Sequence, residues 1–194
     1  VVESGQFRVR SVSQTLYSPQ QVVLGGCYTG KDWRIGVDLG WVDWSEFPAP
    51  TALVDLSLAL EPLDVEIPTP ARPKAPNFTD IWIPRFGIER TLYMGQNMHW
   101  TARTGYFFEP SPAPEQTGRT NYIDGQKHGI SAGLGALLVR ENGFTSGPMS
   151  IDLTLLWIIL PERRHRKESP VDPIGDYVGR GHSLGLSSQI GFNF

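Results

Sequence analysis

Strict alternation of apolar and polar residues is the feature that most constrains how this sequence can fold. Between positions 33 and 41 every odd residue is Trp, Ile, Val or Leu, and every even residue is Arg, Gly or Asp. The same period of two recurs at 98–109, 130–138 and 149–159, and in the last thirteen residues, HSLGLSSQIGFNF. A period of two places the apolar side chains on one face of an extended strand. With 21 Gly and 16 Pro among 194 residues and no capped segment of helical period, the pattern predicts an all-β protein.

Further strands are expected at about 5–16, 20–29 and 80–93. Residues 33–60 are harder to interpret, because SEFPAP (45–50) interrupts the alternation and the apolar positions change from odd to even numbers. One extra residue at a β-bulge accounts for this change of phase. We therefore interpret 33–60 as one long, kinked strand, which gives about eight antiparallel strands in all.

The placement of aromatic residues favours a barrel with an apolar exterior over a β-sandwich with an apolar core. Trp33 and Trp41 lie eight residues apart on one face, which spans roughly 20 Å along the normal of a tilted strand and approximates the spacing of the two aromatic girdles at the edges of a bilayer. The residues predicted to form these girdles are Trp33, Trp41, Trp100, Tyr106, Trp157, Phe192 and Phe194.

The opposite face of the strands and the lengths of the connections also favour a barrel. That face mixes small residues with charges of both signs, which suits pairing across a lumen: Arg34, Asp38, Arg85, Glu89, Arg103 and Asp152. Short turns at 29–32, 93–97 and 140–147 alternate with long, Pro-rich loops at 61–79, 109–125 and 161–179. Short turns on one side and long loops on the other are typical of outer-membrane barrels. The sequence thus predicts an antiparallel transmembrane β-barrel in a bacterial outer membrane, with a soluble sandwich as the alternative.

Composition excludes several other functions. A net charge of −3 without a basic stripe argues against nucleic-acid binding, and the lone Cys27 rules out an internal disulfide. The four histidines lack metal-ligand spacing, and nothing in the sequence indicates catalysis, so we expect no enzyme, no metal and no cofactor. The longest apolar run, 151–160, is too short and too polar for a membrane-spanning helix.

Four segments carry a resemblance to a known family. They are DLGWVDWSEF (38–47), RTGYFFEPSPAPEQ (103–116), YIDGQKHGISAGLGALL (122–138) and the closing GFNF. In this order they resemble the C-terminal half of the FadL/TodX family of outer-membrane transporters of long-chain fatty acids and other hydrophobic compounds. The resemblance covers about 18–194 and implies a barrel of roughly fourteen strands. It also implies a plugging N-terminal hatch, capture of substrate among the extracellular loops, and a sideways exit through the wall from an apolar pocket.

The chain departs from that family in two respects. It contains no hatch motif, so we interpret residues 1–194 as a single β-barrel domain that forms the C-terminal part of a longer barrel. The family's Pro-Asp-x-Asp-Arg entry to a strand also appears here as Ile123-Asp124-Gly125-Gln126-Lys127. Because lysine cannot form the planar bidentate fork of arginine, we expect a weaker or different ion-pair network at this loop.

The loop EPLDVEIPTPARPKAPNF (61–78) is the best candidate for binding a substrate. It combines apolar residues that include Phe78 with two cations, Arg72 and Lys74, as an amphiphile with a carboxylate head requires. We predict that Lys74, or else Arg72, pairs with such a head group; the alternative is that both are solvated. Arg103 faces the lumen and is a further candidate, although pairing with Glu89 or Asp152 is its simpler role.

Three partners follow from these interpretations. The expected ligand is a fatty acid or another hydrophobic small molecule, taken up passively. ERRHRK (162–167) begins the last external loop, where its charge would meet outer-membrane lipid and lipopolysaccharide phosphates, unless it is merely solvated. The terminal aromatic residue, Phe194, is similar to the signal that the barrel assembly machinery reads. The alternative function is that of a small, self-contained eight-stranded barrel with a structural or adhesion role.

Overall fold

A computed structural model describes most of the chain. It covers residues 16–48, 75–92, 97–118, 120–139, 147–168, 172 and 174–192, and at 4–12, 53–61 and 93 it describes the backbone alone. Within these residues the secondary structure consists of strands, which confirms the all-β prediction. The nine strands are β1 (Ser4–Val12), β2 (Gln21–Thr29), β3 (Trp33–Val42), β4 (Leu53–Glu61), β5 (Ile81–Tyr93), β6 (Met98–Glu109), β7 (Lys127–Leu138), β8 (Met149–His165) and β9 (Tyr177–Phe192).

Seven of these strands form one antiparallel sheet in the order β2-β3-β5-β6-β7-β8-β9, so that neighbours in the sheet follow one another along the chain apart from β4. The alternation predicted from the sequence is kept in register from strand to strand. One cross-strand row, for example, runs through Phe86, Tyr106, Ile130, Trp157 and Leu184. The sheet therefore has an apolar face, which carries this row, and a polar face on its other side.

The interpretation of 33–60 as one kinked strand is wrong. β3 ends at Val42, and β4 pairs with β1 in a separate two-stranded sheet. Between them the backbone folds into a turn, in which the Phe47 N–H donates to the Trp44 carbonyl at 3.0 Å, and Pro48 follows without an N–H to offer a neighbouring strand. The change of phase in the sequence thus marks a break between two strands. A register shift does occur in the large sheet, but it lies in β8 between Leu160 and Arg163.

The connections of the sheet differ in length at its two ends. Residues 30–32, 94–97 and 139–148 connect strands at one end, called here the turn end. Residues 43–80, 110–126 and 166–176 connect strands at the other, called here the loop end. The predicted alternation of short and long connections is therefore confirmed for the first two pairs. For the third pair it is wrong: because β8 extends to His165 and β9 begins at Tyr177, the predicted loop 161–179 is reduced to 166–176, about the length of the connection 139–148.

Charged residues of the polar face pair with one another along the same sheet, whereas the sequence suggested pairing across a lumen. Asp38 accepts a hydrogen bond from Arg85 at 3.1 Å. Nearer the turn end, Glu89 lies 3.7 Å from Arg34 and 2.7 Å from Arg103, and Arg103 also binds Asp152. The expected pairing of Arg103 with Glu89 or Asp152 is confirmed, since it binds both. We call these two groups the Asp38 pair and the Arg103 network.

A glycine makes room for the Arg103 network. A Cβ atom at Gly135 would lie 2.5 Å from Oδ1 of Asp152 and 3.1 Å from a guanidinium nitrogen of Arg103. Any side chain at this position would therefore push the two charged groups apart. At Gly36, on the same face, a Cβ would meet no heavy atom within 4 Å.

Gly135→Ala is therefore expected to destabilise the sheet. The new methyl group displaces the carboxylate of Asp152 from Arg103, and for a partly exposed pair the loss should be about 1 kcal/mol of the free energy of unfolding. A urea titration of the protein in detergent micelles measures this difference. Gly36→Ala is the matched control, with no loss expected. Equal unfolding midpoints for the two variants would contradict the role assigned to Gly135.

Candidate functional site

The polar face becomes apolar where it reaches the loop end. Val42 at the end of β3 and Ile81 and Ile83 at the start of β5 are buried and pack together, with Trp44 against them. By strand parity these three residues share the face of Arg34, Asp38 and Arg85. On β3 and β5 the last rows of the polar face are thus aliphatic and form a small buried core just inside the loop end.

Five aromatic side chains from different segments meet beside this aliphatic patch. We call this group the aromatic cluster: Tyr17, Trp44, Phe47, Phe78 and Tyr122. The rings of Phe47 and Phe78 stack at 4.6 Å, and Tyr122 meets Phe78 edge-on at 5.0 Å. These geometries are the favourable ones for aromatic pairs. Asn77, with φ of 53°, adopts the left-handed conformation that this residue type tolerates, directly before Phe78.

Carboxylates border the aromatic cluster. The Tyr17 hydroxyl donates to the Asp43 carbonyl at 3.1 Å, and the Asp80 carboxylate accepts the Ser45 N–H at 3.0 Å. Burial raises the pKa of Tyr17, and the negative charges of Asp43, Glu46 and Asp80 raise it further. The hydrogen bond from the Ser45 N–H is the main reason that the pKa of Asp80 lies below its usual value. The charged groups that act on Tyr17 are thus all acidic.

A separate, open hollow lies farther along the sheet towards the turn end. It has a volume of about 480 Å³ and is lined in part by Cys27, Gly36 and Gly87, with the Asp38 pair beside it. Register places Gly36 and Gly87 side by side, so the floor of the hollow lacks side chains at both positions. Beyond it lies the Arg103 network. An apolar molecule moving in this direction would leave an aliphatic and aromatic environment for a charged one.

One arginine of β8 binds the connection 110–126 at both of its ends. The Arg163 guanidinium donates to Ser111 Oγ at 2.6 Å, to the Ala113 carbonyl at 2.7 Å and to the Asp124 carbonyl at 3.2 Å. Lys127 meanwhile binds Glu109 at 2.6 Å and lies 3.8 Å from Asp124. The ion pairs at this loop are thus those of Lys127, and the guanidinium that contacts the loop belongs to β8 and not to the start of β7.

His165, which follows the register shift in β8, also binds the connection 110–126. It is buried, its Nδ1 accepts the Gln116 N–H at 3.0 Å, and its ring stacks on Tyr177 at 4.7 Å. The side-chain oxygen of Gln116 in turn accepts the N–H of Tyr122, a member of the aromatic cluster, at 3.3 Å. Burial lowers the pKa of His165, and the neighbouring charges of Arg163 and Lys167 lower it further. The neutral form of the His165 ring is therefore the form that holds Gln116 and, through it, Tyr122 of the aromatic cluster.

The structure separates the residues predicted to bind substrate. Phe78 lies in the aromatic cluster, whereas Arg103 lies in the Arg103 network, well removed along the polar face. Lys74 and Arg72 lie outside the described residues, as does Phe194. Sequence reasoning missed the other four rings of the cluster. The available signal was the density of aromatic residues in the non-alternating stretch DWSEF (43–47).

The residues predicted to form the girdles lie at two levels of the apolar face. Trp33, Trp100 and Phe192 lie near the turn end, and the Arg90 guanidinium covers the Trp33 ring at 4.8 Å. Trp41, Tyr106 and Trp157 lie nearer the loop end. Among the described residues no helix is long and apolar enough to cross a membrane. In that same part of the chain no group of acidic, histidine or cysteine side chains could hold a metal ion.

Comparison with known proteins agrees with this architecture. The chain is 27% identical over 148 residues to Alkane uptake protein A of Marinobacter nauticus, which covers 76% of this chain and 30% of that protein. Its fold is similar to the crystal structure of a Pseudomonas aeruginosa FadL homologue, with a TM-score of 0.54 and 18% identity over 89% of this chain and 34% of the other. No protein-family model matches the sequence.

These comparisons confirm the resemblance to FadL-type outer-membrane transporters and the prediction of a transmembrane β-barrel fold. The chain spans about a third of the length of each of these relatives. The described strands accordingly correspond to part of a barrel wall.

The contact between Gln116 and His165 should weaken in acid. Because the pKa of His165 is lowered in the folded loops, their packing is strongest above the ordinary histidine value of 6.5 and weakens as the pH falls below it. The amide of Glu168, which donates to the Thr117 carbonyl at 3.1 Å, reports on the same contact between the loops. Hydrogen exchange of the Gln116 and Glu168 amides, corrected for intrinsic rates, should show up to about a tenfold loss of protection between pH 7.5 and 5.5.

His165→Gln should remove this pH dependence, whereas His182→Gln, at an exposed histidine of β9, should retain it. Amides within β6 serve as an internal reference. A loss of protection that is the same in wild type and His165→Gln would contradict the assignment to His165.

Proposed function

We propose that this chain forms part of an outer-membrane barrel through which bacteria take up hydrophobic compounds, as a transport protein and not as an enzyme. The apolar face would contact lipid and the polar face the lumen, with the loop end outside the cell. The observation that carries the proposal is the reversal of polarity at the loop end, where a lumen face that is charged elsewhere carries the buried residues Val42, Ile81 and Ile83 beneath the aromatic cluster.

The apolar face supports the membrane location. Its side chains are large and largely exposed, with Leu24 80% and Leu186 70% accessible. Exposed apolar surface of this extent, continuous over seven strands, indicates contact with lipid or protein and not with water. We propose that Trp33, Trp100 and Phe192 form the girdle at the periplasmic interface, and that Trp41, Tyr106 and Trp157 form the outer one.

The border of the aromatic cluster favours an uncharged substrate. Asp43, Glu46 and Asp80 would repel the carboxylate of a fatty acid but would be indifferent to a hydrocarbon. The name of the relative in Marinobacter nauticus, an alkane uptake protein, agrees with this choice. We therefore propose a neutral hydrocarbon as the first candidate substrate. A fatty acid held by Lys74 or Arg72 is the second, on the charge of those two residues.

The Asp38 pair and the Arg103 network limit the route that such a substrate can follow. An apolar molecule would gain nothing by displacing paired charges, since the lost ion pairs are not replaced. We propose that the substrate stays at the loop end of the lumen until it leaves sideways, as the family resemblance implies. Further strands, pairing with the free edges of β2 and β9, would complete the wall. Phe194 would serve recognition by the barrel assembly machinery.

Phe78→Ala is expected to lower hydrocarbon uptake. Loss of the central ring removes its contacts with Phe47 and Tyr122, so both capture and the shape of the cluster are impaired. Cells that carry the Phe78→Ala variant should take up radiolabelled hexadecane about tenfold more slowly than cells that carry the native protein. This is the effect of a loss of about 1.4 kcal/mol of binding free energy.

Phe86→Ala is the matched control, because Phe86 is an exposed phenylalanine of the apolar face away from the cluster. Both variants are compared at equal amounts in the outer-membrane fraction. Lys74→Ala should leave hexadecane uptake unchanged and lower uptake of oleate if that acid is carried. Undiminished hexadecane uptake in Phe78→Ala would refute the proposed entry site.

A further inference from the structure

The apolar face changes its chemistry in steps towards the loop end. The row of Tyr106, Ile130, Trp157 and Leu184 is followed by a row of Phe108, His128, Ile159 and His182. In this second row the His128 ring packs on Phe108 at 4.9 Å and bonds the Tyr106 hydroxyl at 2.8 Å. The imidazole rings of His128 and His182 thus follow the aliphatic side chains of Ile130 and Leu184, and this more polar row matches the boundary between acyl chains and head groups.

Above that boundary the basic segment 162–167 divides between two faces. Arg163, His165 and Lys167 turn inward to the loops, as their hydrogen bonds show. Arg164 and Arg166 are exposed on the opposite side, and Arg180 of β9 joins them, with side-chain exposures of 70% for Arg164 and 77% for Arg180. We call Arg164, Arg166 and Arg180 the rim arginines.

Among the described residues, two of the rim arginines, Arg164 and Arg180, share one carboxylate partner, Glu162. It lies 2.7 Å from Arg164 and 3.8 Å from Arg180, so two guanidiniums approach one another around one negative charge. Ion pairs this exposed contribute little stability, so they give way readily to a stronger anion. The register shift between Leu160 and Arg163 is what turns Arg164 outward, to the side of Val178 and Arg180.

The geometry points to the rim arginines as a binding site for the phosphate groups of the glycolipid of the outer leaflet, lipid A. This inference rests on the outer-membrane location in the proposed function. Guanidinium groups bind phosphate oxygens through paired N–H donors. A lipid that carries two or more phosphate groups has more negative charge than the single carboxylate of Glu162, so it competes favourably with Glu162 for the arginines. Acyl chains of the same lipid would lie along Trp157 and Leu184 below. The site thus combines a cationic rim with an apolar wall, which fits a lipid phosphate.

The test measures lipid A binding by the native protein in a neutral detergent at low salt. Added lipid A should raise the thermal unfolding midpoint, and the titration gives an apparent Kd. The double variant Arg164→Gln/Arg180→Gln should bind about 25-fold more weakly, from about fivefold for each charge lost near an anionic lipid. Glu162→Gln should bind more tightly, because it frees both guanidiniums.

The charge-matched control is Lys31→Gln/Arg90→Gln, which removes two exposed positive charges at the turn end and should bind lipid A as the wild type does. Dephosphorylated lipid A should bind weakly, and inorganic phosphate at equal concentration should not stabilise the protein. Unchanged affinity in the rim variant, an equal loss in the control, or equal stabilisation by dephosphorylated lipid A or inorganic phosphate overturns the inference. Since no cargo is present, this result is independent of hexadecane uptake.

Discussion

Backbone pairing in a fixed register is the interaction on which the rest of the structure depends. The inner strands of the seven-stranded sheet satisfy their N–H and C=O groups through neighbours on both sides, and the edge strands β2 and β9 do so on one side. A shift by one residue would exchange the two faces of a strand. The rows that cross the sheet show this register kept from β2 to β9. The apolar exterior, the paired charges inside and the position of the loops all follow from it.

The loop end is held by polar contacts that begin on a strand. Arg163 and His165 belong to β8, whose pairing with β9 fixes them, and they anchor the connection at 110–126. Through Gln116 and Tyr122 this anchoring reaches the aromatic cluster. The proposed entry site is therefore placed by the sheet, although most of its rings come from segments without regular structure.

The sequence predicted most of the sheet because its signal is local. Alternation marks β3, β6, β7 and β8 directly, and charges on alternate residues predicted the partners of Arg103, although not the pairing of Arg85 with Asp38. The segment 43–60 could not be interpreted in this way, because a bulge and a break between strands produce the same change of phase. The pairing of β4 with β1 is a contact between distant segments, which no local pattern specifies.

The aromatic cluster, too, could be predicted from the sequence only in part. Phe78 was chosen for its apolar character within a loop, but its partners Phe47 and Tyr122 lie about thirty and forty-four residues away in sequence, and their contact depends on how the connections pack. The sequence predicts a single charged segment at 162–167. In the structure its residues alternate between two environments: Arg163 binds the inner loop, and Arg164 is exposed beside Glu162. Charge and residue type were visible in the sequence; the direction of each side chain was not.

The register shift between Leu160 and Arg163 determines which face of the sheet each later residue of β8 occupies. Before it, odd-numbered residues such as Trp157 and Ile159 face outward; after it, even-numbered Arg164 does. Deleting or adding one residue in this interval would leave the composition of the loop unchanged and yet exchange its inner and outer sides. Arg163 and His165 would leave the interior, and the loops at the mouth would lose their tether. Length at this point of the chain is consequently as constrained as residue identity.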